Sequence, residues 1–552
     1  MCGIVGCIKN DENRIDINFL LESIKHRGPD AQNYFENDFA MLGHTRLSIV
    51  DLENGHQPFE YKNYIIVFNG EIFNHKILRE DLVKLGYIFK TNSDTEVLLK
   101  LYDCYKEKFV DKLQGFYAFV IYDKHEKEFV IARDYFGIKP LYIYSDRLEF
   151  LFSSEMVTLI SLLKEKKIKY NLSKDAQIEF LDKGYIEKSN IVENTFELEK
   201  GFLFKYKDRV LTKLRAIDYS LDEINSHSTL ENVLKDELTQ QLDADVEVGI
   251  LLSGGIDSSL ITAISSKIKK NIPTYSVAFE GNNLYNESVY SDFVSNTFNT
   301  NHKKFLFTEE VLFDYIPKLI ETIDIPIYDP AMLPMLYLCD NVSKTSKVVL
   351  SGDGGDELFA GYTHHRVLKY KLLYKLILWL LKRTNLFLTK SKIIEEIIAK
   401  HSDFKKSISH DLNKGLNLRL LRKTDLCSMR FGVEVRVPFL SKRVFNYSLK
   451  SNPRSYVDFF KGKKPLRKLL HKLINKEIAY KKKQGFRVPI KEWVSQGNLG
   501  ILIEKELKEP LKIDKTILNQ TDVKKYLSDK NRYYKELFSI FLLNSWIKKH
   551  LQ

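Results

Sequence analysis

The chain has 552 residues, 44% of them hydrophobic, which is enough apolar matter for packed domains and excludes global disorder. Its formal net charge of +12 comes from widely scattered lysines, so a generally basic surface is the default and nucleic-acid binding is not expected. Five cysteines (Cys2, Cys7, Cys104, Cys339, Cys427) form no CxxC pair and no metal-ligand spacing, and no signal peptide is apparent, so the reading is a cytoplasmic protein in a reducing compartment.

The chain opens Met1-Cys2-Gly3. Cys2 is small enough for the initiator methionine to be removed. One residue would then hold a thiol nucleophile and an α-amine base together. Apolar and aromatic runs predict strands at 64–68, 116–122, 128–133, 141–144 and 202–207. A 3.6 spacing predicts helices at 77–85 and 95–105. Among them stand His26-Arg27-Gly28-Pro29-Asp30, Gly43 to Asp51, Phe68-Asn69-Gly70-Glu71, and Ser93-Asp94-Thr95-Glu96. Singly these are ambiguous: Arg46 reads as well as a surface ion pair, and Asn69-Gly70 as a type I′ turn.

With Cys2, and in this order, the motifs resemble the class II glutamine amidotransferase domain, an N-terminal-nucleophile hydrolase, over roughly residues 2–200. The resemblance implies a four-layer αββα sandwich and a glutaminase. In it Cys2 attacks the glutamine amide, and the Asn69 side chain and Gly70 N–H form the oxyanion hole. Arg46 forks onto the carboxylate, Glu71 and Asp94 take the ammonium, and backbone of Arg46, Leu47, Ser48, Ile49 and Val50 lines the pocket.

The expected boundaries are a first domain over 2–205, a polar linker over 206–228 and a second domain over 229–552. The second opens with an amphipathic helix through Leu230, Val233, Leu234 and Leu238. An apolar run, Val246 to Leu252, then feeds Ser253-Gly254-Gly255-Ile256-Asp257-Ser258-Ser259 and a helical pattern. Strand, glycine turn and helix N-terminus make an anion site. Asp257 within it suits a divalent cation between carboxylate and phosphates. No Gly-Lys-Ser/Thr follows, so this is not a Walker A loop. It resembles the pyrophosphate loop of the ATP-pyrophosphatases. A strand at 274–279 and a helix at 287–298 follow, and this alternation predicts a parallel sheet. The resemblance sets Leu251 and Val277 against adenine; for Val277, core packing is an equal reading.

The run Val348 to Leu350 enters Ser351-Gly352-Asp353-Gly354-Gly355-Asp356-Glu357, where close acids call for a cation. This resembles the second signature of the asparagine synthetase family. It implies that Ser351 and Gly352 meet the nucleotide, that Asp257 and Asp356 hold Mg²⁺, and that Asp353 takes part in forming the acyl-adenylate. The family often has Glu at position 353 and Asp at 441, where this chain has Asp353 and Ser441. Cys427-Ser428-Met429 and Glu434 to Leu440 also match. The lysines from 461 to 483 read mainly as a solvated face; Lys483, before Gln-Gly-Phe, resembles the family lysine that neutralises adenylate and pyrophosphate charge. Leu372 to Leu381 is the most apolar helical stretch but is too short to span a membrane. Residues 501–551 are helical in pattern.

The expectation is therefore an N-terminal-nucleophile domain followed by an α/β parallel-sheet ATP-pyrophosphatase domain. The enzyme would hydrolyse glutamine and pass ammonia to a carboxylate adenylated by ATP and Mg²⁺. Aspartate is the favoured acceptor, a sugar uronic acid destined for surface polysaccharide the alternative, and tRNA modification a more distant one. Small molecules are the expected partners, and a homodimer is compatible with the sequence.

Overall fold

The computed structural model describes residues 2–9, 15–221, 228–280, 288–383, 389–400, 403–481 and 488–551. In the first half, two six-stranded antiparallel sheets lie face to face. One runs, in spatial order, Thr195–Glu197, Tyr142–Ser145, Phe150–Ser153, Gly3–Ile8, Ala40–Arg46, Ala31–Glu36. The other runs Val210–Ala216, Phe202–Lys207, Glu128–Arg133, Gly115–Asp123, Tyr64–Ile72, Phe59–Tyr61. Ile4 and Leu42 of the first interleave with Val67, Val120 and Ile131 of the second. Helices Ile17–Ser23 and Met156–Glu165 cover the outer face of one sheet, and His75–Lys84 and Asp94–Tyr105 that of the other. This is the expected αββα sandwich. One boundary changes: Val210–Ala216, placed in the linker by its charge, pairs with Phe202–Lys207 as the edge strand. Its exposed outward positions explain the polar appearance.

The second half is built on five parallel strands in the order Asn301–Phe307, Pro273–Phe279, Val248–Leu251, Val348–Leu350, Glu434–Arg436. Chain order reverses between Val248–Leu251 and Val348–Leu350, which sit side by side. In open parallel sheets the crevice beyond the carboxyl ends of such a pair is where ligands bind.

The two halves share one interior. Leu159, Ile160 and Leu163 pack in one apolar cluster with Leu319, Leu336, Phe538 and Trp546. Asp324 of the second half accepts from Val157 N–H at 2.8 Å, capping a helix of the first. No helix among the described residues is long and apolar enough to cross a membrane.

Candidate functional site

Cys2 leads directly into Gly3–Ile8, a strand buried on both faces, and its partner strand ends at Arg46. From the facing sheet, Tyr64–Ile72 delivers Asn69, Gly70 and Glu71, and the first turn of Asp94–Tyr105 delivers Asp94. Cys2, Arg46, Leu47, Ile49, Val50, Gly70, Glu71 and Asp94 line one pocket of about 390 Å³, mouth included. Ser48 stands at its side, donating its N–H to Asp30 at 2.7 Å. Cys2 N–H donates to Asn69 Oδ1 at 3.0 Å. The amide end of Asn69 is buried and has no hydrogen-bond partner among the described residues. A buried donor left open in this way is set for an acceptor that arrives later. Asn69-Gly70 is not a turn: it continues the strand, with Gly70 at φ +150°, where a Cβ would lie 2.1 Å from Phe116 carbonyl oxygen.

The Arg46 guanidinium is held by the carbonyls of Val50, Asp51 and Leu52, which set its place in the wall. Burial pushes the Cys2 thiol up, so the thiolate needs a neighbouring base. Gln57 is a wall residue missed in the sequence. It accepts from Phe68 N–H at 2.7 Å and donates to Thr95 Oγ1 at 3.1 Å, tying sheet to helix.

Glu71 has a partner from the second half. Arg436, in the last strand of the parallel sheet, pairs with it and with Glu434, and donates to Gln241 carbonyl oxygen. Burial raises the Glu71 carboxyl far above its ordinary range, with Glu434 and Asp94 adding to the effect against Arg436. Burial also opposes ionisation of Glu434, yet surrounding positive charge, Arg436 and Lys139 included, holds it low. Burial raises Asp94 as well, against an N–H bond from Ile72 at 3.0 Å. Arg27, from the His-Arg-Gly-Pro motif, donates to Cys2 carbonyl oxygen at 3.3 Å, to Glu155 at 3.1 Å and to both oxygens of Asp425.

The second centre lies at the strand reversal. Gly254 has φ +70°, and a Cβ there would come 2.7 Å from Ser291 N, so only glycine makes the turn. Gly255 then caps helix Ile256–Ile268. Ser253 and Ser258 hydroxyls bond at 3.0 Å, and the buried Ser259 Oγ lacks a partner among the described residues. Leu251 and Val277 are the partly exposed residues of otherwise buried adjacent strands. The second loop presses on the first: a Cβ on Gly352 would meet Ser258 N at 3.0 Å. Ser351 and Thr424 hydroxyls donate to Asp353 at 3.0 and 3.1 Å.

Asp257 and Asp356 do come together, and what joins them is Lys463. This buried ammonium contacts Asp257 and lies 2.8 Å from Asp356. The solvated-face reading is therefore corrected for Lys463: the two carboxylates raise its pKa against the cost of burial and hold it charged. Their converging hard oxygens also fit a Mg²⁺ shared with phosphates. Lys483 lies outside the described residues. Ser441 caps helix Lys442–Leu449, accepting from Val444 N–H at 3.2 Å. Serine and aspartate are equally good caps, which accounts for the departure at that position.

Two family models match the chain: a glutamine amidotransferase domain over residues 1–216 and asparagine synthase over 229–548. Asparagine synthetase [glutamine-hydrolyzing] 1 of Bacillus subtilis is 31% identical over 90% of this chain and 88% of its own length. A putative asparagine synthetase [glutamine-hydrolyzing] 2 of Methanocaldococcus jannaschii is 36% identical over 66% of this chain and 76% of its own. Asparagine synthetase B [glutamine-hydrolyzing] of Escherichia coli is 29% identical over 88% and 82%.

Proposed function

The chain belongs to the glutamine-hydrolysing asparagine synthetase family, and from that premise we propose that it converts aspartate, glutamine and ATP to asparagine, glutamate, AMP and pyrophosphate. The observation that carries this reading is Arg436. It stands in the strand beside the second loop's strand yet pairs with Glu71, which lines the pocket around Cys2, so one buried ion pair joins the two centres.

In the first centre, the α-amine of a processed Cys2 takes the thiol proton, and the sulfur attacks the glutamine carbonyl carbon. Asn69 Nδ2 and Gly70 N–H receive the oxyanion. The amide nitrogen leaves as ammonia, and water hydrolyses the thioester to glutamate. In the second centre, Leu251 and Val277 flank the adenine, and Ser253, Gly254, Gly255, Ser258, Ser259, Ser351 and Gly352 cradle the phosphates. The aspartate carboxylate attacks the α-phosphorus and pyrophosphate departs. Lys463, and Lys483 by resemblance, balance the negative charge that develops. Asp257 and Asp356 would hold Mg²⁺, which supplies further charge neutralisation. Ammonia attacks the acyl carbon and AMP leaves. Asp353 orients the acceptor. Its side chain is one methylene shorter than Glu and accepts hydrogen bonds from Ser351 and Thr424; the same chemistry on a sugar uronate is the second reading.

The test is to separate the half-reactions. Cys2→Ala should lose glutamine-dependent synthesis and keep ammonium-dependent synthesis. Lys463→Met should keep glutaminase and lose AMP formation. Mass spectrometry of products from a panel of carboxylic acids identifies the acceptor. Glutamine hydrolysis surviving in Cys2→Ala, or AMP release indifferent to every acid, defeats the proposal.

A further inference from the structure

On the reading proposed above, Asp353 of the second loop faces the acceptor acid, and further charged groups stand beside it. Helix Arg422–Met429 sets Thr424 Oγ1 3.1 Å from Asp353. Lys423 precedes Thr424 by about 100° of helical turn, and its ammonium lies 3.4 Å from Asp329 Oδ2. The other oxygen of Asp329 accepts from Ala331 N–H at 3.0 Å, which fixes the carboxylate just ahead of helix Met332–Ser343. The side chains of Lys423 and Asp329 are 15% and 12% exposed, so the pair is enclosed without being sealed. Burial opposes the charge on Lys423, but Asp329 and Asp353 raise its pKa and keep it an ammonium.

At 3.4 Å the pair is looser than a charge-assisted hydrogen bond of about 2.7–2.9 Å. An ammonium has three donors and a carboxylate about four acceptor sites, so each has capacity for another partner. One cation between two carboxylates, beside the point of adenylation, selects among acids. A uronic acid, its carboxylate engaged with phosphorus, brings only hydroxyls and gives Lys423 no anion. An acid with a second carboxylate and an ammonium brings one charge of each sign. Its carboxylate then meets Lys423 and its ammonium meets Asp329 and Asp353, so that opposite charges alternate throughout. In an enclosed site, charges left unmatched in this way reject the wrong ligand.

We propose that Lys423 and Asp329 recognise the acceptor, the lysine holding the second carboxylate, and Asp329 with Asp353 the ammonium, of a short α-amino dicarboxylic acid. This rests on the reading that Asp353 faces the acceptor. Synthesis is run with ATP, Mg²⁺ and ammonium in place of glutamine, so that Cys2 plays no part. Pyrophosphate release is measured with aspartate, succinate, β-alanine and glucuronate. Succinate lacks the ammonium of aspartate, and β-alanine lacks its second carboxylate. The full chain should prefer aspartate to each of the others by about 10²-fold in kcat/KM. Lys423→Met should raise KM for aspartate about 10²-fold and close the gap between aspartate and β-alanine. Asp329→Asn should close the gap with succinate instead. In both, KM for ATP should not move, and Lys423→Arg, which keeps the cation, should recover most of the preference. A merely structural residue would lower turnover of all four acids alike. Thermal unfolding checks that each variant folds, and the two are read independently. Aspartate preferred by the full chain, with its preference over the truncated acids unchanged in the variants, overturns the recognition pair alone. Glucuronate preferred by the full chain overturns the acceptor reading and the pair with it.

Discussion

At the scale of single residues, buried charge is used in two ways. Lys463 remains charged because two aspartates face it. Glu357, close by, is pushed up to about 8 by burial and by Asp356, and accepts a hydrogen bond from Tyr362. A folded-state value raised above the unfolded one has a definite sign. Below pH about 4.5 both states hold the proton; between there and pH about 8 only the folded state does, so stability falls as pH rises through that window. Glu357→Gln, which keeps the shape and removes the titration, should flatten the decline of melting temperature between pH 5 and 8. An unchanged slope would assign the decline to other groups. Asn69→Ala should lower glutaminase kcat by about 10²–10³-fold, with KM for glutamine little altered, if the open amide meets the oxyanion. A change confined to KM would make it a binding group instead.

At the scale of elements, Glu434–Arg436 is only three residues long and connects the two centres. Arg436→Met should leave Glu71 and Glu434 buried without their cation, at a cost of about 3–5 kcal/mol. Thermal unfolding measures that cost, and the ratio of glutamate to AMP should rise as coupling loosens. A ratio held at the wild-type value would show that Arg436 serves stability alone. This strand was not legible in the sequence, and neither were Gly3–Ile8 and Ala40–Arg46. Each is covered on both faces, so the alternation that identifies a half-buried strand is missing. The helix at 95–105 and the strand at 128–133 were legible because spacing and composition agreed. Pocket residues were found where a short run of chain carries several of them, as in Asn69-Gly70-Glu71. Lys463 was not, because a lysine in a basic run looks solvated until tertiary packing encloses it. Arg27 showed as part of a motif, but its fork onto Asp425, 398 positions away, is set only by the fold.

At the scale of the whole molecule, the apolar cluster shared by Met156–Glu165 and the last long helix, Tyr534–His550, makes the halves interdependent. Trp546 Nε1 donates to Asp324 carbonyl oxygen at 3.2 Å, beside the aspartate's bond to Val157. Calorimetry should therefore give one unfolding transition whose van't Hoff and calorimetric enthalpies agree. Two resolved transitions would mean that the shared cluster adds little. Arg27 carries the same dependence into the chemistry. Its one guanidinium steadies the carbonyl next to the reactive sulfur and takes its counter-charge from Glu155 of the first half and Asp425 of the second. A fragment ending at residue 216 would retain every residue that lines the pocket yet enclose an arginine stripped of that aspartate. Severed from its neighbour, such a piece should be a poor glutaminase, and adding the missing half in trans should revive it.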